Sequence, residues 1–383
     1  MGTRLTSGSR LSHSPTGLPL QDRRDFLRLL SAGITLAPAP AALAQSARRQ
    51  VTIGRRRIPV IDIHAHCVIP VEHLLTGTRL AGSGGGAGGT ILGPDRIQTM
   101  DRQGVDMQAL SINFYWWYAA DRDLARRIVS AQNEGLAAWV NKYPDRFVAL
   151  ASVALQFPDL AAEQLEDGVK RLGLRGASIG GHANGEDLSL PKYDPFWAKA
   201  AELGVPVFMH PNGSANIIRE GALAGRADLG NIIGNPLETT YFLSRLIFEG
   251  VFDRFPNLRV IGAHAGGYLP SYLGRSEYAC NRANANCAST RPTREYLQSQ
   301  ILIDTMVFSA EGLRHLVAEV GASQVVYGTD VPYAWPVTVD LVLQAPFLSN
   351  AQKEAILGGN LARLLRIHLP WISFRRNPCN DFW

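Results

Sequence analysis

The sequence predicts a single-domain α/β protein folded as a (β/α)8 barrel. Eight short apolar runs of strand type alternate with segments that carry apolar residues at helical spacing, from about residue 60 to residue 365. Signals for antiparallel hairpins are missing between these runs, which favours a parallel sheet. Four of the runs end in polar residues that can bind a metal. The active-site residues of such barrels lie at these strand ends.

Each element follows from local composition. The eight predicted strands cover 60–66, 108–112, 147–153, 177–180, 206–210, 259–264, 301–304 and 325–329. The predicted helix 121–142 has Leu124, Ile128 and Leu136 on one face and stops before Pro144. Further helices are predicted at 160–172, 193–203, 237–249, 269–279, 310–320 and 351–365. A glycine-rich segment, 81–89, reads as a flexible linker or lid after the first strand.

Residues 1–44 have the layout of an export signal. Arg23 and Arg24 form a twin-arginine pair, a modest apolar stretch follows, and Ala42-Leu43-Ala44 provides a cleavage site of small residues. The apolar stretch is too short and too interrupted by proline to span a bilayer. We therefore expect a twin-arginine (Tat) signal peptide at 1–44, a barrel domain with a C-terminal extension at 45–383, and a periplasmic or secreted protein exported by the Tat machinery.

Charge and cysteine content exclude other classes of site. The chain has 38 basic and 33 acidic side chains; residues 1–44 contribute five arginines and two aspartates, which leaves a net charge of +2. A chain so close to neutral offers no basis for nucleic-acid binding, and no other segment looks transmembrane. The four cysteines form no C-x-x-C pair, so a cysteine-rich zinc site is not expected. Cys280 and Cys287 could bridge a loop, which spacing alone leaves open.

The motif His64-Ala65-His66 ends the first strand and predicts half of a metal site. Side chains alternate faces along a strand, so His64 and His66 point the same way. Three later runs end in His210, His264 and Asp330. Burying such polar groups without partners is costly, and a barrel gathers the ends of its strands. The sequence therefore predicts one divalent ion held by His64, His66, His210 and Asp330.

Zinc is the expected ion, with manganese as the alternative, because three imidazoles and a carboxylate suit a borderline divalent metal. A catalytic zinc keeps an open position for water, whose pKa it lowers to about 7. His264 is then available as the general base that takes a proton from this water. The other interpretation makes His264 a fourth imidazole ligand. The predicted catalytic residues are His264 and the ligand Asp330.

Longer motifs resemble a known family. On these motifs the chain resembles the amidohydrolase superfamily and, within it, the aminocarboxymuconate-semialdehyde decarboxylase family. The resemblance implies a metal-dependent hydrolase-like barrel that removes a carboxylate from an unsaturated or aromatic acid without oxygen. The motifs are Tyr143-Pro144-Asp145-Arg146-Phe147-Val148-Ala149-Leu150, Phe208-Met209-His210-Pro211, Glu238-Thr239-Thr240, Gly250-Val251-Phe252-Asp253-Arg254-Phe255-Pro256, Ala263-His264-Ala265-Gly266-Gly267 and Gly328-Thr329-Asp330-Val331-Pro332-Tyr333.

The resemblance also bears on the number of metals and on the substrate. Binuclear hydrolases of this architecture carry a bridging Lys where this chain has Gly180-Gly181-His182, so one ion is expected. The residue matching His264 activates the metal-bound water in that family. Arg275 is the expected carboxylate clamp, since guanidinium groups bind carboxylates bidentately, or else a helix surface residue. Asn212 and the glycine-rich loop stand where the family decarboxylase has a Trp and an Arg. This difference argues against the muconate substrate of that decarboxylase as the substrate of this chain.

Aromatic residues cluster near the predicted site. The segment 114–118 follows the second strand and either lines a pocket for a flat ligand or packs the loop against its neighbours. The predicted substrate contacts are Trp116, Trp117, Tyr333 and His182, together with Arg275.

The predicted function is that of a metal-dependent carboxy-lyase acting on a small aromatic or muconate-like carboxylic acid. A hydrolase of a lactone, ester or amide is the alternative, because the same water could attack those groups, and a hydratase is a further one. A non-catalytic binding protein is disfavoured by the complete ligand set. A homodimer is usual for the family, although nothing in the sequence shows one.

Overall fold

Eight parallel strands form a closed barrel in the computed structural model, which describes residues 48–83 and 90–368. The predicted fold class and all eight predicted strands are confirmed, with ends that differ by at most a few residues. The strands are β1 (Ile61–His66), β2 (Met107–Ser111), β3 (Phe147–Ala149 and Ala151–Ser152), β4 (Ala177–Ile179), β5 (Pro206–Met209), β6 (Arg259–Gly262), β7 (Ile301–Asp304) and β8 (Val325–Val326). The predicted signal peptide, residues 84–89 and residues 369–383 lie outside the described residues.

Hydrogen bonds close the ring of strands. One ladder runs from β1 through β2 to β3, and a second runs from β3 through β4, β5, β6 and β7 to β8. Strand β3 belongs to both, since its first half pairs with β2 and its second half with β4. The ring closes where Ile63 N–H donates to Tyr327 O at 3.0 Å and His66 N–H donates to Val331 O at 2.9 Å. The carboxyl ends of all eight strands therefore meet at one end of the barrel.

Helices follow the strands around the outside of the barrel. Each predicted helix overlaps an observed one, although the segment predicted at 269–279 is α-helical only over Leu273–Glu277, after a 3-10 turn at Pro270–Tyr272. The helices are α1 (Glu72–Leu75), α2 (Pro94–Gln103), α3 (Arg122–Lys142), α4 (Pro158–Lys170), α5 (Asp194–Leu203), α6 (Asn235–Phe248), α7 (Val251–Arg254), α8 (Leu273–Glu277), α9 (Thr293–Ser299), α10 (Ala310–Val320), α11 (Val339–Gln344), α12 (Asn350–Glu354) and α13 (Asn360–Leu364).

Two features depart from the sequence predictions. Helix α2 was not predicted, although Pro94 at its first turn and Gly104, in the left-handed conformation at its end, are standard helix boundaries. Two short antiparallel hairpins, Thr52–Ile53 with Arg56–Arg57 and His182–Ala183 with Glu186–Asp187, lie outside the barrel. The second turns at Asn184-Gly185, both with positive φ, a turn signal that the sequence did contain.

Apolar side chains fill the barrel interior. Residues from alternate positions of the strands, such as Ile61, Val148 and Phe208, are buried there. Leu361 and Leu365, at α13, pack against the same cluster. Because the interior is packed, a ligand site belongs at the mouth of the barrel rather than within it.

Two smaller predictions concern cysteines and membranes. Cys280 and Cys287 form a disulfide, with Cα atoms 5.6 Å apart, and Cys67 is buried as expected. Within the described ranges, no helix has the length and apolar character needed to cross a lipid bilayer.

Candidate metal centre and active site

The four predicted ligands meet at the carboxyl ends of β1, β5 and β8. His64, His66, His210 and Asp330 are buried, and one donor atom from each lies within 4.8 Å of the other three. His66 Nε2 lies 2.8 Å from Asp330 Oδ1 and 3.3 Å from His64 Nε2. His64 Nε2 lies 3.1 Å from the same carboxylate oxygen. Four donor atoms from three distant strands thus converge on one small volume.

Hydrogen bonds on the far side of two rings turn their Nε2 atoms toward this volume. His64 Nδ1 lies 2.7 Å from Asp304 Oδ2, and His210 Nδ1 lies 2.9 Å from the carbonyl oxygen of Pro211. When Nδ1 donates to an oxygen, Nε2 carries the lone pair that a metal needs. Both hydrogen bonds therefore orient the rings so that Nε2 faces the place where an ion would bind.

This donor set fits a divalent metal ion. Three imidazole nitrogens and one carboxylate oxygen are ligands that zinc and related first-row ions share. A cation would also satisfy the nitrogen lone pairs that converge in this buried space, where unpaired polar groups are costly. His64, His66, His210 and Asp330 would hold it, as the sequence predicts.

The pKa values of the ligands reflect burial and mutual attraction. Burial lowers the pKa of His66 to about 4 and that of His210 well below its usual range. Burial acts on His64 in the same direction, but Asp330 and Asp304 outweigh it and raise the pKa of His64 to about 10. Burial would raise the pKa of Asp330, yet His64 holds it far below the ordinary value. A bound cation would displace the proton that His64 carries in the metal-free protein.

His264 is placed beside the cluster by an unusual turn. Its backbone φ is 53°, in the left-handed region that costs a non-glycine residue about 1–3 kcal/mol. Asp304 stabilises the turn, because its carboxylate accepts the N–H of His264 at 3.1 Å and that of Ala265 at 2.8 Å. The His264 ring centre lies 5.2 Å from that of His64, and His264 Nε2 lies 4.0 Å from Asp330 Oδ2.

The His264 ring is suited to accept a proton. Its Nδ1 is buried and has no hydrogen-bond partner within the part of the chain that the structure describes. Burial, assisted by the neighbouring His64, lowers the pKa of His264 to about 4. The imidazole is therefore neutral at neutral pH, as a general base must be.

Asp62 is a buried carboxylate that joins the strands carrying the ligands. It accepts the N–H of His64 at 2.9 Å and the Thr329 hydroxyl at 2.7 Å. These bonds tie β1 to the residue that precedes Asp330. Burial raises the pKa of Asp62 to about 6.

Glu238, on α6, is a buried carboxylate that joins the loops after β4 and β5. Its Oε1 accepts the N–H of Asn212 at 2.7 Å and that of Gly181 at 3.2 Å, and its side chain is fully buried. Its Oε2 has no partner among the described residues. Burial raises the pKa of Glu238 to about 8. A Cβ at Gly181 would approach Glu238 Oε1 to 2.4 Å, so only glycine fits there.

The aromatic residues near the site separate into two groups. Trp116, a predicted substrate contact, is instead buried in the core, where its indole N–H donates to a backbone carbonyl of β4 at 2.9 Å. Phe114, which belongs to the predicted aromatic segment 114–118 but was not named as a substrate contact, has its ring centre 4.9 Å from that of His210 and 5.8 Å from that of His66. The ring centre of Tyr333, a predicted substrate contact, lies 5.0 Å from that of His66. Phe114 and Tyr333 are partly exposed and stand beside the ligands.

The remaining predicted contacts lie farther from the ligand set. Trp117 is half-buried against the apolar cluster around α3. His182 Nε2 lies 3.0 Å from Gly213 O, and its Nδ1 accepts the N–H of Gly185 at 3.0 Å, so both ring nitrogens bind loop backbone. Arg275 is exposed on α8 and forms no hydrogen bond or ion pair with any described residue. The structure does not bring these three residues into contact with the metal ligands.

Asp304 is a site residue that the sequence predictions missed. It is the last residue of β7 and orients both His64 and the turn at His264. The signal was available, because Asp304 ends its strand just as His210 and Asp330 follow theirs. Its partner is 240 residues away in the chain, so no local pattern showed what the carboxylate would bind.

Comparisons with known proteins agree with this geometry. A model of the amidohydrolase family matches residues 61–367. The 2-amino-3-carboxymuconate-6-semialdehyde decarboxylase of Dictyostelium discoideum is 34% identical over 280 residues, which cover 71% of this chain and 76% of that protein. The 5-carboxyvanillate decarboxylase structure from Sphingomonas paucimobilis has a TM-score of 0.74 and 27% identity, covering 81% of this chain and 100% of that chain.

A third similar protein was solved with a metal ion. The dihydroxybenzoic acid decarboxylase structure from Polaromonas sp. JS666 contains manganese and the inhibitor 2-nitroresorcinol. Its TM-score is 0.69 at 26% identity, and the match covers 83% of this chain and 100% of that chain. The family model covers most of the chain, and the curated relative and the two structures agree with it. The chain therefore belongs to the amidohydrolase family.

Proposed function

We propose that this protein is a metal-dependent carboxy-lyase that removes a carboxylate group from a small aromatic acid. One observation carries the proposal, namely the buried set of His64, His66, His210 and Asp330 with neutral His264 beside it. The decarboxylase activities named for its relatives support the same reaction. Phe114 and Tyr333, beside the ligands, support an aromatic substrate, because a flat apolar ring packs well against aromatic side chains.

His64, His66, His210 and Asp330 would hold a divalent ion, which would supply Lewis-acid polarisation of substrate oxygen atoms and a lowered pKa of water. We propose zinc from the donor set of three nitrogens and one oxygen. Manganese is the alternative, supported by its presence in the Polaromonas structure. Elemental analysis of the purified protein, followed by reloading with each ion, distinguishes the two.

His264 is proposed as the residue that transfers the proton. Its neutral ring takes a proton from solvent in the site and delivers it to the ring carbon that bears the carboxylate. The bond between that carbon and the carboxylate then breaks, its electron pair returns to the ring, and CO2 leaves. Asp330 holds its place among the ligands and, 4.0 Å away, favours the protonated form of His264 during the transfer. Arg275, exposed on α8, is not part of this proposal.

Product analysis tests the reaction. The metal-loaded full chain is incubated with carboxylated phenols and with cyclic esters, and CO2 release from a phenol is the expected result. Acid formation from the esters without CO2 would indicate hydrolysis, and addition of water to a double bond would indicate a hydratase; either result contradicts the proposal. The variant His73→Asn, which changes an exposed histidine on α1, serves as a control that keeps full activity.

We also propose export and dimer formation. The pair Arg23-Arg24, the apolar stretch and Ala42-Leu43-Ala44 support export by the Tat machinery, and the Cys280–Cys287 disulfide suits an oxidising compartment. Replacing both arginines with lysine is expected to keep the protein in the cytoplasm; continued export would contradict the proposal.

The proposed dimer is supported by the resemblance to a family in which homodimers are usual, and the molar mass in solution tests it.

A further inference from the structure

A pocket of about 750 Å³ lies at the end of the barrel opposite the metal ligands. Arg259, the first residue of β6, lines it, together with Gln300 and Gln324, which directly precede β7 and β8. An extended chain advances about 3.3 Å per residue, so roughly 16 Å separates Arg259 from His264, which follows the end of β6. The pocket is therefore distinct from the proposed active site, and its volume falls within the range of about 300–1,000 Å³ typical of small-molecule sites.

The charges that line the pocket do not balance. Arg259, Arg291 and Arg363 contribute three positive charges, and Asp253 contributes one negative charge. Arg291 is compensated, because its Nε lies 3.5 Å from Asp253 and its guanidinium stacks 4.2 Å from the centre of the Tyr296 ring. Arg259 and Arg363 form no ion pair with a carboxylate in the described ranges 48–83 and 90–368. Two positive charges thus face the same pocket with no counterion among the residues that the structure describes.

Both arginines have side-chain N–H groups that donate to no described residue. Arg259 is half-buried and uses only Nη1, which donates to the carbonyl oxygens of Pro256 at 3.4 Å and Leu258 at 3.2 Å. Arg363 uses only Nη2, which donates to Asn360 Oδ1 at 2.6 Å. The other N–H groups of both side chains have no acceptor in the described part of the chain. Burial lowers the pKa of both guanidinium groups.

Neutral polar and apolar side chains make up the rest of the lining, the polar ones being Gln298, Ser299, Gln300, Ser323, Gln324 and Asn360. Phe252, Pro256, Leu302 and Leu364 supply carbon surface next to the arginines. A pocket that combines such surface with unpaired guanidinium groups suits a ligand with an apolar body and an anionic group, since guanidinium binds carboxylate and phosphate through paired N–H donors. We propose that this pocket is a second binding site, which takes a small organic anion carrying a carboxylate or a phosphate.

Calorimetric titration of the metal-loaded full chain tests the site, with benzoate, phenyl phosphate and inorganic phosphate as probes. The benzoate and phenyl phosphate arms distinguish the two anionic groups, and inorganic phosphate measures binding without an apolar body. At least one organic probe is expected to bind more tightly than inorganic phosphate. In the double variant Arg259→Gln, Arg363→Gln its Kd is expected to rise by about tenfold or more, as the loss of charge-assisted hydrogen bonds predicts.

Two comparisons keep the test decisive. The kcat and KM of the double variant are expected to equal those of the wild type. Equal values would show that the barrel is folded and that the probe binding lost in the variant is not at the metal end. Arg314→Gln, on α10, removes an exposed arginine paired with Glu311 and is expected to leave probe binding unchanged. If no probe binds, or if the isotherms of wild type and double variant coincide, the pocket is not an anion site. Neither result bears on the proposed carboxy-lyase activity.

Discussion

The substitution Asp304→Asn tests whether one carboxylate organises both halves of the metal centre. Asp304 Oδ2 accepts from His64 Nδ1 at 2.7 Å and from the N–H of His264 at 3.1 Å. Oδ1 accepts from the N–H groups of Ala265 at 2.8 Å and Met306 at 3.2 Å. Asparagine keeps the shape of the side chain but replaces one oxygen with an NH2 group, which cannot accept a hydrogen bond. Two of the four buried donors therefore lose their acceptor.

The size of the effect follows from these bonds. An unsatisfied buried donor costs about 1–3 kcal/mol, so for two such donors we expect the free energy of unfolding of the metal-free variant to fall by about 2–6 kcal/mol. The His64 ring also loses the carboxylate that fixes its tautomer, and changes of this kind weaken metal affinity by about 10–100-fold. Competition with a chelator of known affinity measures the second quantity, and urea denaturation of the metal-free protein measures the first.

Asp106→Asn is the matched control. Asp106 is equally buried, but it lies just before β2, where it accepts the N–H of Val60 at 2.9 Å and pairs with Arg48 and Arg57. We expect this control to lose stability while its metal affinity stays unchanged. The reasoning is refuted if Asp304→Asn binds metal within about twofold of the wild type, well short of the 10–100-fold expected for a residue that orients a ligand.

Three further predictions concern the site and its surroundings. His264→Asn should retain the metal ion, measured by elemental analysis, but lose at least about 100-fold in kcat, the contribution of general acid–base catalysis; loss of the ion would instead identify His264 as a ligand. Glu238→Gln should gain stability relative to the wild type as the pH rises from about 5 to 8. The pKa of Glu238 in the folded protein, about 8, exceeds its ordinary value, so the free energy of unfolding of the wild type falls by about 3 kcal/mol over that interval. Urea denaturation at a series of pH values measures this difference. Equal pH dependence of the two proteins would contradict the prediction. Chelation should abolish turnover and lower the Tm, and zinc or manganese should restore both; unchanged turnover after complete removal of the ion would exclude a metal-dependent reaction.

The ligand set could be predicted from sequence because its signals are local. Alternation along a strand places His64 and His66 on the same face, and His210 and Asp330 each follow an apolar run. The barrel prediction then brings the strand ends together without any knowledge of contacts. Strand order, strand positions and the ligand set all follow from patterns no longer than about ten residues.

The wall of the site could not be predicted in this way. Five aromatic residues stand together at 114–118, and composition does not indicate which of them faces the ligands. The backbone at Phe114 has a φ of 69°, which turns its ring toward His210 while Trp116 packs into the core. Arg275 likewise matches a family motif, yet its side chain is exposed on α8.

By itself the sequence determined the barrel, the position of each candidate ligand along the chain and the chemical type of the candidate metal site, because these depend on periodicity and on where a strand ends. Tertiary structure alone decided that Asp304 supports His64 and His264, that Phe114 rather than Trp116 borders the metal ligands, and that Arg259 and Arg363 face one pocket. These facts depend on contacts between residues that are remote in the chain. Such contacts are set by backbone turns and packing, which no local pattern encodes.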